Sequence, residues 1–130
     1  MKIAIVGPGA MGCLFAALLA EAGHEVWFLD KSAERAQRLA RSGIRLEGAG
    51  EPRTVRLGAT NNPGDIGAAD LIFIWVKAYD TELAVKAALP LLATHTQIIS
   101  LQNGLGNVEA IARAVHPRHI IGGTTAHGAT

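Results

Sequence analysis

Cysteine is nearly missing from this sequence. Cys13 stands alone among 130 residues, so no disulfide can close within the chain and a reducing compartment fits. Charge is scarce as well: Asp, Glu, Lys and Arg together make up 18% and the formal net charge is +1. That balance removes any global electrostatic case for nucleic acid or an anionic membrane surface as a partner. No run approaches the roughly 20 apolar residues of a membrane span. The stretch from Lys2 to Ala22 loosely imitates a secretion signal, and Ala10-Met11-Gly12-Cys13 imitates a lipoprotein cleavage box. Gly7, Pro8 and Gly9 interrupt it, so the expected location is the cytoplasm. Metal ligation is not expected either, because His116 and His119 are separated by Pro117 with no cysteine or carboxylate nearby. No Ser-His-Asp arrangement can be assembled.

What the sequence does have is apolar material and glycine. Hydrophobic residues reach 49%, mean hydropathy is +0.25, and there are 15 glycines, several of them closing apolar runs. The length suits one domain with one core. Ile3 to Val6 is an unbroken apolar run of the kind found in a strand buried on both faces. Ala10 to Ala22 reads as a buried helix ending near Gly23, and Glu25 to Leu29 as a second strand. Ser32 is placed to cap a helix to Ser42, with Gly43 where a left-handed C-cap is wanted. Ile44 to Glu47 and Thr54 to Leu57 predict a strand pair around Gly48, Gly50 and Pro52. Asn61-Asn62-Pro63-Gly64-Asp65 predicts a loop with at most one helical turn. Beyond it come a strand at Leu71 to Val76, a helix at Thr81 to Leu92 and a strand at Gln97 to Leu101. A helix at Val108 to Val115 capped by Asn107 and a strand at His119 to Ile121 close the series. Such alternation predicts an α/β, doubly wound and mostly parallel sheet with an inserted strand pair.

The sharpest motif is Gly7-Pro8-Gly9-Ala10-Met11-Gly12, a G-x-G-x-x-G that leaves a predicted strand and opens a predicted helix. Gly7 permits the tight turn, Gly9 lets the backbone approach a pyrophosphate, and Gly12 lets the helix pack close to the sheet. The free amides and dipole of the helix N-terminus favour the anion. The fingerprint expects an acid at the end of the second strand to bind the adenosine ribose, and Asp30 is there. A carboxylate at that place repels the extra phosphate of NADP and favours NAD, whereas Lys31 beside it could hold a phosphate. The plainer alternative for Asp30 is a turn before Ser32.

Ligands of open parallel sheets bind at the carboxyl ends of the strands. Lys77 ends an apolar strand, where a cation needs an anion or water, and so reads as a phosphate or ribose contact or as a solvated strand end. Asn103 offers donors and an acceptor to a carboxamide or carbonyl, or caps a turn. His127, near the chain end, reads more readily as structural or exposed than as a ligand or acid. Cys13 reads as a small core residue.

The segments Lys2 to Gly12, Val76-Lys77-Ala78-Tyr79-Asp80-Thr81 and Leu101-Gln102-Asn103-Gly104-Leu105-Gly106-Asn107-Val108-Glu109 resemble the N-terminal domain of the ketopantoate reductase (2-dehydropantoate 2-reductase, ApbA/PanE) family. Gly122 to Ala129 is similar to the segment that ends that domain, so the resemblance covers the whole chain, residues 1–130. It implies a Rossmann-like domain of an NADP(H)-dependent oxidoreductase that reduces 2-dehydropantoate, a small 2-keto acid, to pantoate in pantothenate and coenzyme A synthesis. Carried over by position, Gly7, Pro8, Gly9, Ala10, Met11 and Gly12 hold the pyrophosphate. Lys77 lies near the adenosine side, often on the 2′-phosphate, Asn103 at the nicotinamide and substrate, and Ala129 at a further backbone contact to the cofactor. The family places its general-acid lysine in a helical second domain, absent from this chain, so no catalytic residue is expected here and little turnover by the chain alone. A homodimer is compatible with the resemblance. NADP-preferring members commonly carry arginine where Asp30 stands, which keeps NAD(H) open. It also keeps open an NAD-dependent D-2-hydroxyacid dehydrogenase of the same superfamily. A non-enzymatic NAD(P)-sensing regulatory domain is the reading from another class.

Overall fold

Ile3, Ala4, Ile5 and Val6 are all buried, and their alternation decides the layering. In the computed structural model of the chain, which describes residues 1–7, 9–48, 50–75, 81–100 and 107–122, they belong to strand β1 (Lys2–Val6). Successive strand side chains point to opposite faces. Ile3 and Ile5 join Val26, Phe28 and Phe73 under Ala16 and Ala17 of helix α1 (Ala10–Glu21). Ala4 and Val6 join Ile72, Ile74 and Ile98 on the other face, under Ala84, Val85 and Ala88 of α3 (Thr81–Ala88) and Ile111 of α4 (Asn107–Ala112). Two apolar clusters therefore sandwich one sheet, as expected for a sheet covered on both faces.

The sheet has six strands in the order β5-β2-β1-β6-β7-β8, and every pairing in it is parallel. Strand β2 spans Glu25–Leu29, β6 Leu71–Ile74, β7 Gln97–Ser100 and β8 Ile120–Gly122. The inserted pair is present as well: β3 (Ile44–Leu46) and β4 (Arg53–Val55) run antiparallel in a small sheet of their own. Among the described residues no helix is long and apolar enough to cross a membrane.

Several elements differ in detail from expectation. Strand β5 (Gly58–Thr60) has no counterpart among the predicted elements. Its sequence, Gly-Ala-Thr, has no apolar alternation, and it is held by tertiary fit alongside β2 in the register Trp27↔Gly58. A Cβ at Gly58 would lie 2.5 Å from the Trp27 ring, so that close approach requires glycine. The second arm of the strand pair accordingly ends at Val55 rather than Leu57. Gly43 closes α2 (Ala33–Ser42) with φ +70 and ψ −167, outside the left-handed helical well that a simple C-cap would use. Its backbone is pressed against the Val55 carbonyl of the strand pair, 2.7 Å from where a Cβ would stand. The third helix stops at Ala88 and passes into a 3₁₀ turn over Leu89–Leu91, since Pro90 lacks the N–H that would continue the α ladder. The fourth helix opens at Asn107 itself and ends at Ala112. The last strand begins at Ile120 because His119 completes a 3₁₀ turn, Pro117–His119, in which His116 Nδ1 accepts from Arg118 N. His119 is buried and its Nδ1–H donates to the Thr96 carbonyl at 2.7 Å.

The amino edge of the sheet is fastened by Asp70. Its Oδ2 accepts from Lys2 N at 2.7 Å and its Oδ1 lies 2.9 Å from His95 Nε2. The Lys2 amide, with the His95 ring adding to it, holds the Asp70 carboxyl below the usual carboxylate range. A carboxyl whose pKa is depressed by folding stabilises the native state above its unfolded value of about 4 and loses that contribution as pH falls through the lower folded value. We expect the urea midpoint of the wild type to fall on acidification below about pH 4, and Asp70→Asn to flatten that decline. The comparison is a denaturation series from neutral to strongly acidic pH; parallel acid limbs for the two proteins would remove Asp70 from the account.

Candidate functional site

Register places the carboxyl ends of five strands on one edge. Val6 pairs with Leu29 and Ile74, Ile74 with Ser100, and Ser100 with Gly122. This edge is the side on which open α/β sheets bind ligands.

At the first of these strand ends is the glycine-rich corner. Gly7 has φ +98, a conformation that side-chain-bearing residues rarely adopt. The Gly9 amide turns back to the Gly7 carbonyl at 2.9 Å, and Gly9 then serves as N-cap of α1 in an extended conformation, φ −82 and ψ −175. The Gly9 carbonyl accepts the Cys13 amide at 2.9 Å. The amides of Ala10, Met11 and Gly12 therefore have no intrahelical acceptor, no side chain among the described residues caps them, and no acidic residue occupies the first turn. Gly9 and Gly12 differ in what surrounds them. A Cβ on Gly9 would meet nothing within 4 Å, whereas one on Gly12 would come within 2.8 Å of the Gly7 carbonyl oxygen. Gly12 thus seats the helix on the loop, and Gly9 leaves open space at the start of the helix. This arrangement fits an anion such as a pyrophosphate.

Asp30 follows β2 at the neighbouring position, as its sequence place requires, and its side chain is only 1% exposed. Oδ1 accepts from Ser32 N at 3.0 Å and from Arg35 Nη2 at 2.8 Å, while Oδ2 accepts from Arg35 Nε at 3.1 Å. Asp30 therefore makes the turn before the Ser32 cap and an ion pair at once. Ser32 caps as expected, its Oγ accepting from Arg35 N at 3.2 Å. The Asp30 carboxylate holds the Arg35 guanidinium proton more tightly than usual. Lys31 is exposed beside them.

Arg35 is a residue of this corner that the sequence pattern does not reveal. The only signal is a basic residue five positions after the acid, which is no pattern until the strand-to-helix turn folds the two together. Trp75 is the other. It extends the apolar run past β6, its amide donates to the Val6 carbonyl at 2.8 Å, and its ring stacks on Phe73 at 5.4 Å and lies 4.9 Å from Phe15 of α1. A tryptophan half-buried beside the glycine-rich corner is a built-in reporter. Cys13 is half-buried against the α1-side cluster, and burial pushes its thiol pKa up, in keeping with a packing role. Pro8, Lys77, Asn103, His127 and Ala129 lie outside the described residues.

An open parallel sheet layered by helices, with a glycine-rich first βα corner and an acid ending the second strand, defines a Rossmann-like domain. A model of the family described as ketopantoate reductase PanE/ApbA matches residues 3–130, and the chain belongs to that family. It is 34% identical over 130 residues to a 2-dehydropantoate 2-reductase of Halobacterium salinarum, covering 99% of this chain and 43% of the relative. Among solved structures it is similar to a PanE/ApbA family ketopantoate reductase from Ralstonia eutropha JMP134, with TM-score 0.81 and 34% identity over 95% of this chain and 40% of that one. It is also similar to D-mandelate dehydrogenase in a ternary structure with NADH and anilino(oxo)acetate, with TM-score 0.86 and 30% identity over 95% of this chain and 40% of that one. The chain thus spans about two fifths of the length of these relatives.

Proposed function

We propose that this chain is the nicotinamide-dinucleotide-binding part of a 2-dehydropantoate 2-reductase. The observation that carries the reading is the uncapped N-terminus of α1, with open space over Gly9 and Gly12 locked onto Gly7. In this reading the free amides of Ala10, Met11 and Gly12 hold the pyrophosphate, and Lys77, Asn103 and Ala129 meet the adenosine side, the nicotinamide with substrate, and the cofactor backbone respectively. A bound nicotinamide would supply a hydride to the 2-keto carbon. The protein's part is to orient it, and the proton for the forming alkoxide comes from a lysine of the family's second domain. The setting is the cytoplasm and pantothenate synthesis, in an enzyme compatible with a homodimer.

A second reading is favoured by the D-mandelate dehydrogenase likeness and by Asp30: an NAD-dependent dehydrogenase for another 2-keto acid. Titration of the 130-residue polypeptide with NADPH and NADH, followed by calorimetry and by tryptophan emission, tests the common core of both. We expect saturable binding of at least one nucleotide with negligible reduction of 2-dehydropantoate. An absence of heat with either nucleotide at millimolar concentration would remove the binding role, and rapid turnover would remove the dependence on a second domain.

A further inference from the structure

We propose that Arg35 is a specificity-determining residue for the cofactor: seated on Asp30, it neutralises that carboxylate and turns the end of β2 into a receiver for the 2′-phosphate of NADP(H). The inference rests on the dinucleotide reading above and concerns which dinucleotide is taken. A carboxylate that selects NAD must offer its oxygens to the ribose hydroxyls. Here three acceptor directions of Asp30 are already filled, two by Arg35 and one by the Ser32 amide, and the side chain is 1% exposed against 52% for Arg35. What faces solvent at this corner is the far side of a guanidinium with the Lys31 ammonium close by in sequence; Glu34, also exposed, is the acid of the same turn. Among the described residues Arg35 Nη1 has no partner, and a guanidinium can grip a carboxylate through one edge while donating to a phosphate from the other. The acid that by position argues for NAD is thereby converted into the anchor of a cationic site.

The test is the ratio of NADPH to NADH affinity, measured by tryptophan emission and calorimetry in the wild type, Arg35→Met and Arg35→Lys. We expect the wild type to prefer NADPH. Arg35→Met should lose roughly tenfold to a hundredfold in NADPH affinity, the size of one charge-assisted contact, while NADH binding changes little. Arg35→Lys should recover part of the loss. Should Arg35→Met fail to fold because Asp30 is left unpaired, the double variant Asp30→Asn with Arg35→Met carries no buried charge and should bind the two nucleotides about equally. A wild type that prefers NADH, or an Arg35→Met variant that weakens both nucleotides alike, overturns the assignment and leaves Arg35 as a brace for the β2–α2 turn. A wild type that binds neither nucleotide fails at the earlier step and takes the dinucleotide reading with it.

Discussion

Gly12→Val should severely weaken dinucleotide binding. The ideal Cβ there falls 2.8 Å from the Gly7 carbonyl oxygen and 3.5 Å from Ile5 Cγ2. A side chain could rotate away from such a contact, but a carbonyl fixed at φ +98 and accepting the Gly9 amide cannot. Relief has to come from lifting α1 off the corner or from opening the Gly7–Gly9 turn, and either displaces the amides that would hold the pyrophosphate. Overpacking of this kind costs about 1–3 kcal/mol of stability. The ligand loses several charge-assisted hydrogen bonds together, so affinity should fall by at least about a hundredfold. Gly9→Ala separates the two effects. Its Cβ meets no protein atom within 4 Å, so the melting temperature should hold while the methyl intrudes on the ligand's side of the loop and affinity drops. Calorimetric titration with NADPH and NADH, alongside thermal melts, reads both variants. Wild-type affinity in both would mean that the dinucleotide does not lie over this corner.

What could be read in the sequence depends on how local each feature is. Ile3 to Val6, Ile72 to Ile74 and Val26 to Leu29 announce strands because each carries its own apolar pattern, and their two-faced burial follows from the alternation. The glycine spacing from Gly7 to Gly12 is legible for the same reason: the turn, the helix start and the close approach are properties of six consecutive residues. Strand β5 is hidden because Gly58–Thr60 is defined by the flat face of Trp27, a residue distant in sequence. The place of Asp30 is legible and its state is not. Position fixes it at the end of β2, but whether its oxygens are offered to a ligand depends on a helix turn folding Arg35 back onto them. Trp75 shows the same limit, since nothing in its neighbours along the chain announces a ring stacked between Phe73 and the first helix.

Phe28→Ala should have the largest cost in stability of any single change considered. Phe28 is fully buried, aligned with Ile5 on one side and Ala59 on the other, and its ring belongs to the cluster beneath Ala16 and Ala17. Those two alanines are small, so the ring supplies much of the bulk between sheet and helix at this point. Truncating a buried phenylalanine to alanine costs about 3–5 kcal/mol, the lost transfer energy plus the cavity left behind. Set against a total stability of about 5–15 kcal/mol for a domain, that is a large share of the whole. With a urea slope of about 1–3 kcal/mol per molar, the midpoint should fall by more than about 1 M. Phe28→Leu keeps most of the volume and should cost markedly less. The damage should also reach the site, because β2 carries Asp30 two residues beyond Phe28, and a loosened strand cannot hold the Arg35 fork in register. Urea titrations followed by tryptophan emission measure the midpoints. Saturating dinucleotide should restore part of the loss by mass action, since it binds only the folded state. A midpoint shift for Phe28→Ala no larger than that for Phe28→Leu would mean that the junction of β1, β2 and α1 is not packed around this ring.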